Sequence, residues 1–157
     1  MRSSFEFTLW VMVFVYAGHI LEEYTLDWKS WAEDLSGFRL GWENFWAINA
    51  AVIVFGVCCA MIGWQSPAIS LIFPTLAIIN GLFFHIAPTF IQRRISPGVI
   101  TSALFFLPVG FWVFWGAQQD QALSLQTILL AIIGGAFVMA YPILLLRLKD
   151  KLNTKES

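Results

Sequence analysis

The sequence predicts an all-α integral membrane protein: a bundle of five transmembrane helices with the N-terminus outside and the C-terminus cytoplasmic. Three observations carry that expectation. Of 157 residues, 59% are hydrophobic and only 12% charged, with a mean hydropathy of +0.73, whereas soluble domains are about a quarter charged. Apolar runs of bilayer-spanning length recur along the chain. The basic residues fall almost entirely on one side of those runs. A net charge of −1 gives no footing for nucleic acid, and the adjacent Cys58 and Cys59 offer no disulfide framework.

A spanning helix needs about 20 mostly apolar residues. The first candidate, 5–24, is the least clear, because Phe7–Leu21 runs directly into Glu22 and Glu23. It competes with a signal peptide, against which Glu6 at the head of the run counts. It also competes with a variant of four spans plus a shorter first helix lying in the interface. The remaining spans are 46–64, 68–91, 98–117 and 123–146, and residues 1–157 form one transmembrane domain without an internal repeat. Between the first two spans, Asp27–Asn44 is too polar to cross. Trp28, Trp31, Leu35 and Phe38 recur there at helical spacing, as in a segment lying flat on the interface. Ser96-Pro97-Gly98 reads as a turn and helix start, with Ser96 as N-cap and Pro97 at the first helical position. Asn153–Ser157 reads as a frayed tail.

Five spans place Lys29, Arg39, Arg93, Arg94, Arg147, Lys149, Lys151 and Lys155 on one side and Arg2 alone on the other. This is a positive-inside pattern. Trp64, Trp112 and Trp115 mark the outer helix ends, and Trp28, Trp31, Trp42 and Trp46 the inner boundary. On this topology His19, Glu22, Glu23, Asn49, Asn80, His85, Thr101 and Tyr141 all fall in the cytoplasmic half, and the outer half is nearly all apolar.

His19-Ile20-Leu21-Glu22-Glu23 is the sharpest motif. At 100° per residue the two carboxylates lie about −60° and +40° from the imidazole, so all three share one helix face. Charged groups at membrane depth cost a few kcal/mol each unless paired, protonated or bound to a cation. Three readings are open. His19, Glu22, Glu23 and His85 bind a divalent metal, zinc or iron, which two imidazoles and carboxylates suit. Or they work without metal as general acid and base. Or the carboxylates are hydrated interfacial groups and the histidines hydrogen-bonded packing residues.

Asn80 precedes His85 by five residues, about 140° apart on a regular α-helix. The two share a face only across a π-bulge, a feature concentrated at functional sites, and Pro88 leaves the Phe84 carbonyl without its helical donor. Alternatively Asn80 bonds a neighbouring helix. The helix starting after Pro97-Gly98 places a positive end near His85 where an anionic group can rest. Arg93 and Arg94 are topology anchors first and lipid-phosphate contacts second. Cys58 and Cys59 are small packing groups.

His19-x-x-Glu22-Glu23 in a first helix, followed by Asn80, His85 and Pro97-Gly98-x-x-Thr101, resembles the HXXEE-motif family of small, largely bacterial polytopic membrane proteins. The resemblance runs over roughly Phe7–Leu146. It implies a bacterial inner-membrane location and an enzyme of unassigned reaction, and it supplies no substrate. The aromatic residue the family often carries two before its Pro-Gly is Ile95 here, so a phenol at that position has no counterpart in this chain.

Two histidines are far too few for a histidine-rich di-iron oxygenase. Nucleophile-elbow, zincin and phosphate-loop motifs are all missing, and a transporter would more often show repeats and midplane-broken helices. The residues favour a membrane enzyme acting on a lipid-like or isoprenoid-like substrate. In it His19, Glu22, Glu23 and His85 serve as ligands or acid/base groups, with Asn49, Asn80, Thr101, Arg93 and Arg94 contacting the substrate. The partners are membrane lipids and that substrate. The alternative is a non-enzymatic binder or proton conductor using Glu22 and Glu23. A closed pocket favours the enzyme and a continuous polar path the conductor.

Overall fold

The computed structural model describes residues 4–36 and 41–153, with side chains through Leu145 except that of Ser36. Arg2, Phe38, Arg39, Lys155 and the end of the tail lie outside the described residues, as do the side chains of Arg147, Lys149 and Lys151. The described residues form helices joined by short turns, with no strand among them. Four helices are long and apolar enough to cross a membrane: α3 (Trp42–Gln65, its last turn tightened to a 3₁₀ geometry), α4 (Pro67–Gln92), α5 (Val99–Gln119) and α6 (Leu125–Asn153, apolar through Leu145). They are preceded by α1 (Phe7–Thr25) and the short α2 (Trp28–Ser36).

At 19 residues, α1 is about 28 Å long, close to the thickness of the hydrocarbon core, but it carries the His-Glu-Glu motif in its last two turns. It tolerates those groups because it is the interior helix, packed against α3, α4 and α5. Its buried residues include Leu9, Met12, Tyr16, His19 and Glu23. Their three- and four-residue steps draw one stripe along the helix. Leu9, Met12, Phe73, Phe106 and Val113 meet in the apolar core that this stripe faces.

α6 packs along the first half of α4. Its glycines allow the approach: a β-carbon at Gly135 would stand 3.1 Å from the Leu76 backbone nitrogen. The rest of α6 presents Leu129, Ile133, Phe137 and Leu144 outward, as a lipid-facing helix does.

One end of the bundle is fastened by two carboxylates. Asp120 Oδ2 accepts from the Phe5 backbone N–H (2.5 Å) and the Trp64 indole N–H (2.9 Å). Glu6 Oε1 accepts from the Trp64 backbone N–H (2.7 Å). Trp112 and Trp115 pack on Phe7 and Phe5 at this same end, so the three predicted end tryptophans do group together.

At the opposite end three expectations are corrected. α3 begins at Trp42, four residues before the predicted start, so Trp46 sits one turn inside the helix. α2 does not lie flat on the surface: Trp31 is only 6% exposed, and its helix closes over the bundle. Ser96 is not the N-cap of α5. That position belongs to Gly98 at φ +94°, and Ser96 turns inward. At the chain's far end, Asn153 is the last residue of α6 and not part of a frayed tail.

Candidate functional site

His19 and Glu23 stand one turn apart on α1, and His85 reaches them from α4. His85 Nε2 lies 3.3 Å, and His19 Nε2 3.5 Å, from the same Glu23 Oε1. Both histidines are fully buried and Glu23 is 5% exposed. The rings meet edge to face with centroids 4.7 Å apart.

The groups behind the rings decide which ring nitrogens carry protons. His85 Nδ1 is 2.7 Å from the Pro97 carbonyl, which only accepts, so Nδ1 holds the hydrogen and donates it. In the neutral ring Nε2 is then a bare lone pair. It is buried without a hydrogen-bond partner. His19 follows the same logic by one more step. The Thr101 hydroxyl donates to Glu22 Oε2 at 2.5 Å, so its oxygen accepts from His19 Nδ1–H at 2.7 Å. Here too Nε2 is left as a lone pair, and the Asn80 amide approaches it at 3.4 Å.

Two imidazole lone pairs thus point at one carboxylate oxygen. Such an arrangement is repulsive unless a proton or a cation sits among the three. One ligand atom from each of His19, Glu23 and His85 lies within 4.8 Å of the others. Two donors held at about 2.05 Å on a tetrahedral ion stand about 3.3 Å apart, which is the separation seen between Glu23 and each histidine. Fixing the tautomer of a ligating histidine through its other nitrogen is the usual support of a metal site. These three side chains could therefore hold a divalent cation.

Asn80 and His85 share a face because α4 is π-helical over Gly81–Ile86, as the 140° mismatch requires. The Phe84 carbonyl, deprived of a donor by Pro88, has the Ser96 hydroxyl at 3.5 Å. α5 repeats the device over Ser102–Phe106, just ahead of Pro108.

Glu22 is set apart from the His-Glu-His group. Its carboxylate accepts the backbone N–H groups of Gly98 (3.0 Å), Ile100 (3.1 Å) and Thr101 (2.7 Å). The anion expected at the positive end of α5 is thus this chain's own Glu22. Thr101 bridges it to His19. Asn49 donates to the Phe45 carbonyl at 3.0 Å and lines the neighbouring cavity. Arg93 and Arg94 face outward, Arg94 pairing with Asp34 at 3.2 Å, and neither joins the site.

Ser96 and Gly98 are the site residues that sequence reasoning passed over as a turn. A β-carbon at Gly98 would lie 2.7 Å from His19 Cε1 and from His85 Nδ1, so the Pro-Gly turn presses bare backbone against both rings. The signal was there in Pro97-Gly98 next to a histidine-bearing helix.

Beside the group lies a cavity of about 390 Å³ lined by apolar side chains of α2, α3, α4 and α6, with Glu23, Asn80, Asn49 and Tyr16 in its wall.

A multi-helix membrane bundle with a buried His-Glu-His group opening on an apolar cavity defines the class. Residues 10–113 match the family described as a protein of unknown function with HXXEE motif, and the chain belongs to that family. No curated protein and no solved structure matches the chain.

Proposed function

We propose that this protein is an integral membrane enzyme in which His19, Glu23 and His85 hold one divalent cation, zinc or iron, beside a pocket for a lipid-like or isoprenoid-like substrate. The observation that carries the reading is the convergence of two imidazole lone pairs on Glu23 Oε1, 3.3 and 3.5 Å away, next to the apolar cavity. A set of two histidines and one carboxylate leaves coordination positions open for water or substrate. The cation would polarise a substrate oxygen or activate a water molecule. Thr101 and the Pro97 carbonyl hold the rings, Asn80 offers an amide to the reacting group, and Asn49 polarises the wall. With the basic residues inside, the site lies in the cytoplasmic half of a bacterial inner membrane.

Elemental analysis of the purified protein in detergent tests this. The wild-type chain should carry about one equivalent of zinc or iron, which Glu23→Gln and His85→Gln lose while keeping their helicity by circular dichroism. A wild-type protein free of metal after supplementation would overturn the cation. It would leave the acid/base reading, with His85 protonated against Glu23. The conductor reading is disfavoured by Leu9, Met12, Phe73 and Phe106, all fully buried, which form an apolar core toward the end held by Glu6 and Asp120.

A further inference from the structure

We infer that the cavity takes a single-chain lipid whose head is uncharged and oxygen-bearing, a hydroxyl or carbonyl rather than a phosphate, and that its chain enters sideways between α4 and α6. The inference deepens the proposed function and rests on its view of the His-Glu-His group as the reacting end.

The head follows from charge. Among the described residues, Glu23 is the only charged side chain lining the cavity. Phosphate recognition relies on arginine or lysine or on a free helix N-terminus, and no described arginine or lysine lines the cavity. Arg94 faces outward to Asp34, Lys29 pairs with Glu33 at 3.2 Å, and the N-terminus of α5 is filled by Glu22. A divalent cation on two neutral histidines and Glu23 leaves one net positive charge. That matches one negative charge developing on a hydroxyl or carbonyl oxygen and falls short of the roughly −1.5 to −2 of a phosphate monoester. The other polar side chains in the cavity wall, Asn49, Asn80 and Tyr16 among them, are uncharged.

The route follows from shape. A second cavity of about 280 Å³ shares Phe83, Phe84, Met139 and Ile143 with the first, and every residue lining it is apolar. It lies between α4 and α6, and two of its lining residues, Phe83 and Leu144, are 66% and 58% exposed on the surface that faces lipid. A ligand taking this path stays in an apolar medium until its head reaches Asn80 and Glu23.

The test uses the full chain in lipid nanodiscs and a long-chain alcohol bearing a diazirine as photolabel. Labelling should map to Phe83, Phe84 and Met139. Excess unlabelled alcohol should suppress it more than about tenfold, the alkyl phosphate of equal chain length should not, and Met139→Trp, which plugs both cavities, should abolish it while keeping bound metal. Equal or better competition by the alkyl phosphate overturns the head. Labelling spread over the lipid-facing helices, or unchanged in Met139→Trp, overturns the cavity. Metal content measured on the same preparations separates the two proposals. Selective labelling of a metal-free protein retains this inference and defeats the cation, and metal without selective labelling does the reverse.

Discussion

Two neighbouring carboxylates, Glu22 and Glu23, have different work because they leave α1 100° apart. Glu23 meets two lone pairs, and Glu22 meets three backbone N–H groups at the start of α5. The sequence places both on the face of His19 but holds nothing that divides them, since the division depends on where the Pro97-Gly98 turn lands. Their substitutions should therefore separate. Glu22→Gln keeps the geometry but weakens the charge-assisted bonds to α5, costing about 0.5–2 kcal/mol as lost caps do. Through Thr101 it should also loosen the hold on His19, weakening metal affinity by about 10–100-fold. A chelator competition should then find Glu22→Gln still saturable by metal and Glu23→Gln not. Equal loss in both would contradict the assignment. Gly98 is the sharper probe of the turn. At φ +94° and with a β-carbon 2.7 Å from both imidazoles, Gly98→Ala carries roughly 1–2 kcal/mol of backbone strain plus the cost of moving a ring. Its melting temperature should fall and its metal be lost together. A variant as stable and metal-loaded as the wild type would mean the turn does not support the rings.

At the scale of the element, hydropathy located α3 to α6 within a few residues, because lipid demands long unbroken apolar helices. The π-helical stretch in α4 was legible from a conflict: Asn80 and His85 cannot face one partner on a regular helix, and Pro88 removes a donor just beyond them. The matching stretch in α5 had no such pair of polar residues to betray it. Nor did spacing alone show that α2 closes over the cavity, since Trp28, Trp31 and Leu35 draw the same stripe whether they face lipid headgroups or the bundle. The π register of α4 has a direct consequence. Deleting Leu82 returns the segment to α-helical phase and leaves His85 four residues, about 40°, from Asn80, so the two still share a face. The expected outcome is a chain of unchanged helicity by circular dichroism that still retains metal. Loss of metal in that deletion would show that the site needs the π geometry itself and not only the shared face.

Across the whole molecule, the charged side chains among the described residues gather at two ends, with a largely apolar core between them. Glu6 and Asp120 fasten one end through Trp64 and Phe5. His19, Glu22, Glu23 and His85 occupy the other, together with Arg93, Arg94 and Lys29. The two ends differ in charge: the described loop at Gln118–Ala122 has no basic residue, while the Arg93–Gly98 loop begins with two. That asymmetry sets the expected orientation, because retaining Lys and Arg in the cytoplasm costs nothing while moving them across does. In a Cys58→Ala/Cys59→Ala background, Gln118→Cys and Gln92→Cys report the two ends, both positions being exposed. A membrane-impermeant maleimide applied to intact spheroplasts should label Gln118→Cys at once and Gln92→Cys only after permeabilisation. The opposite pattern would put the His-Glu-His group in the outer half and leave the cluster of basic residues without its accepted cause.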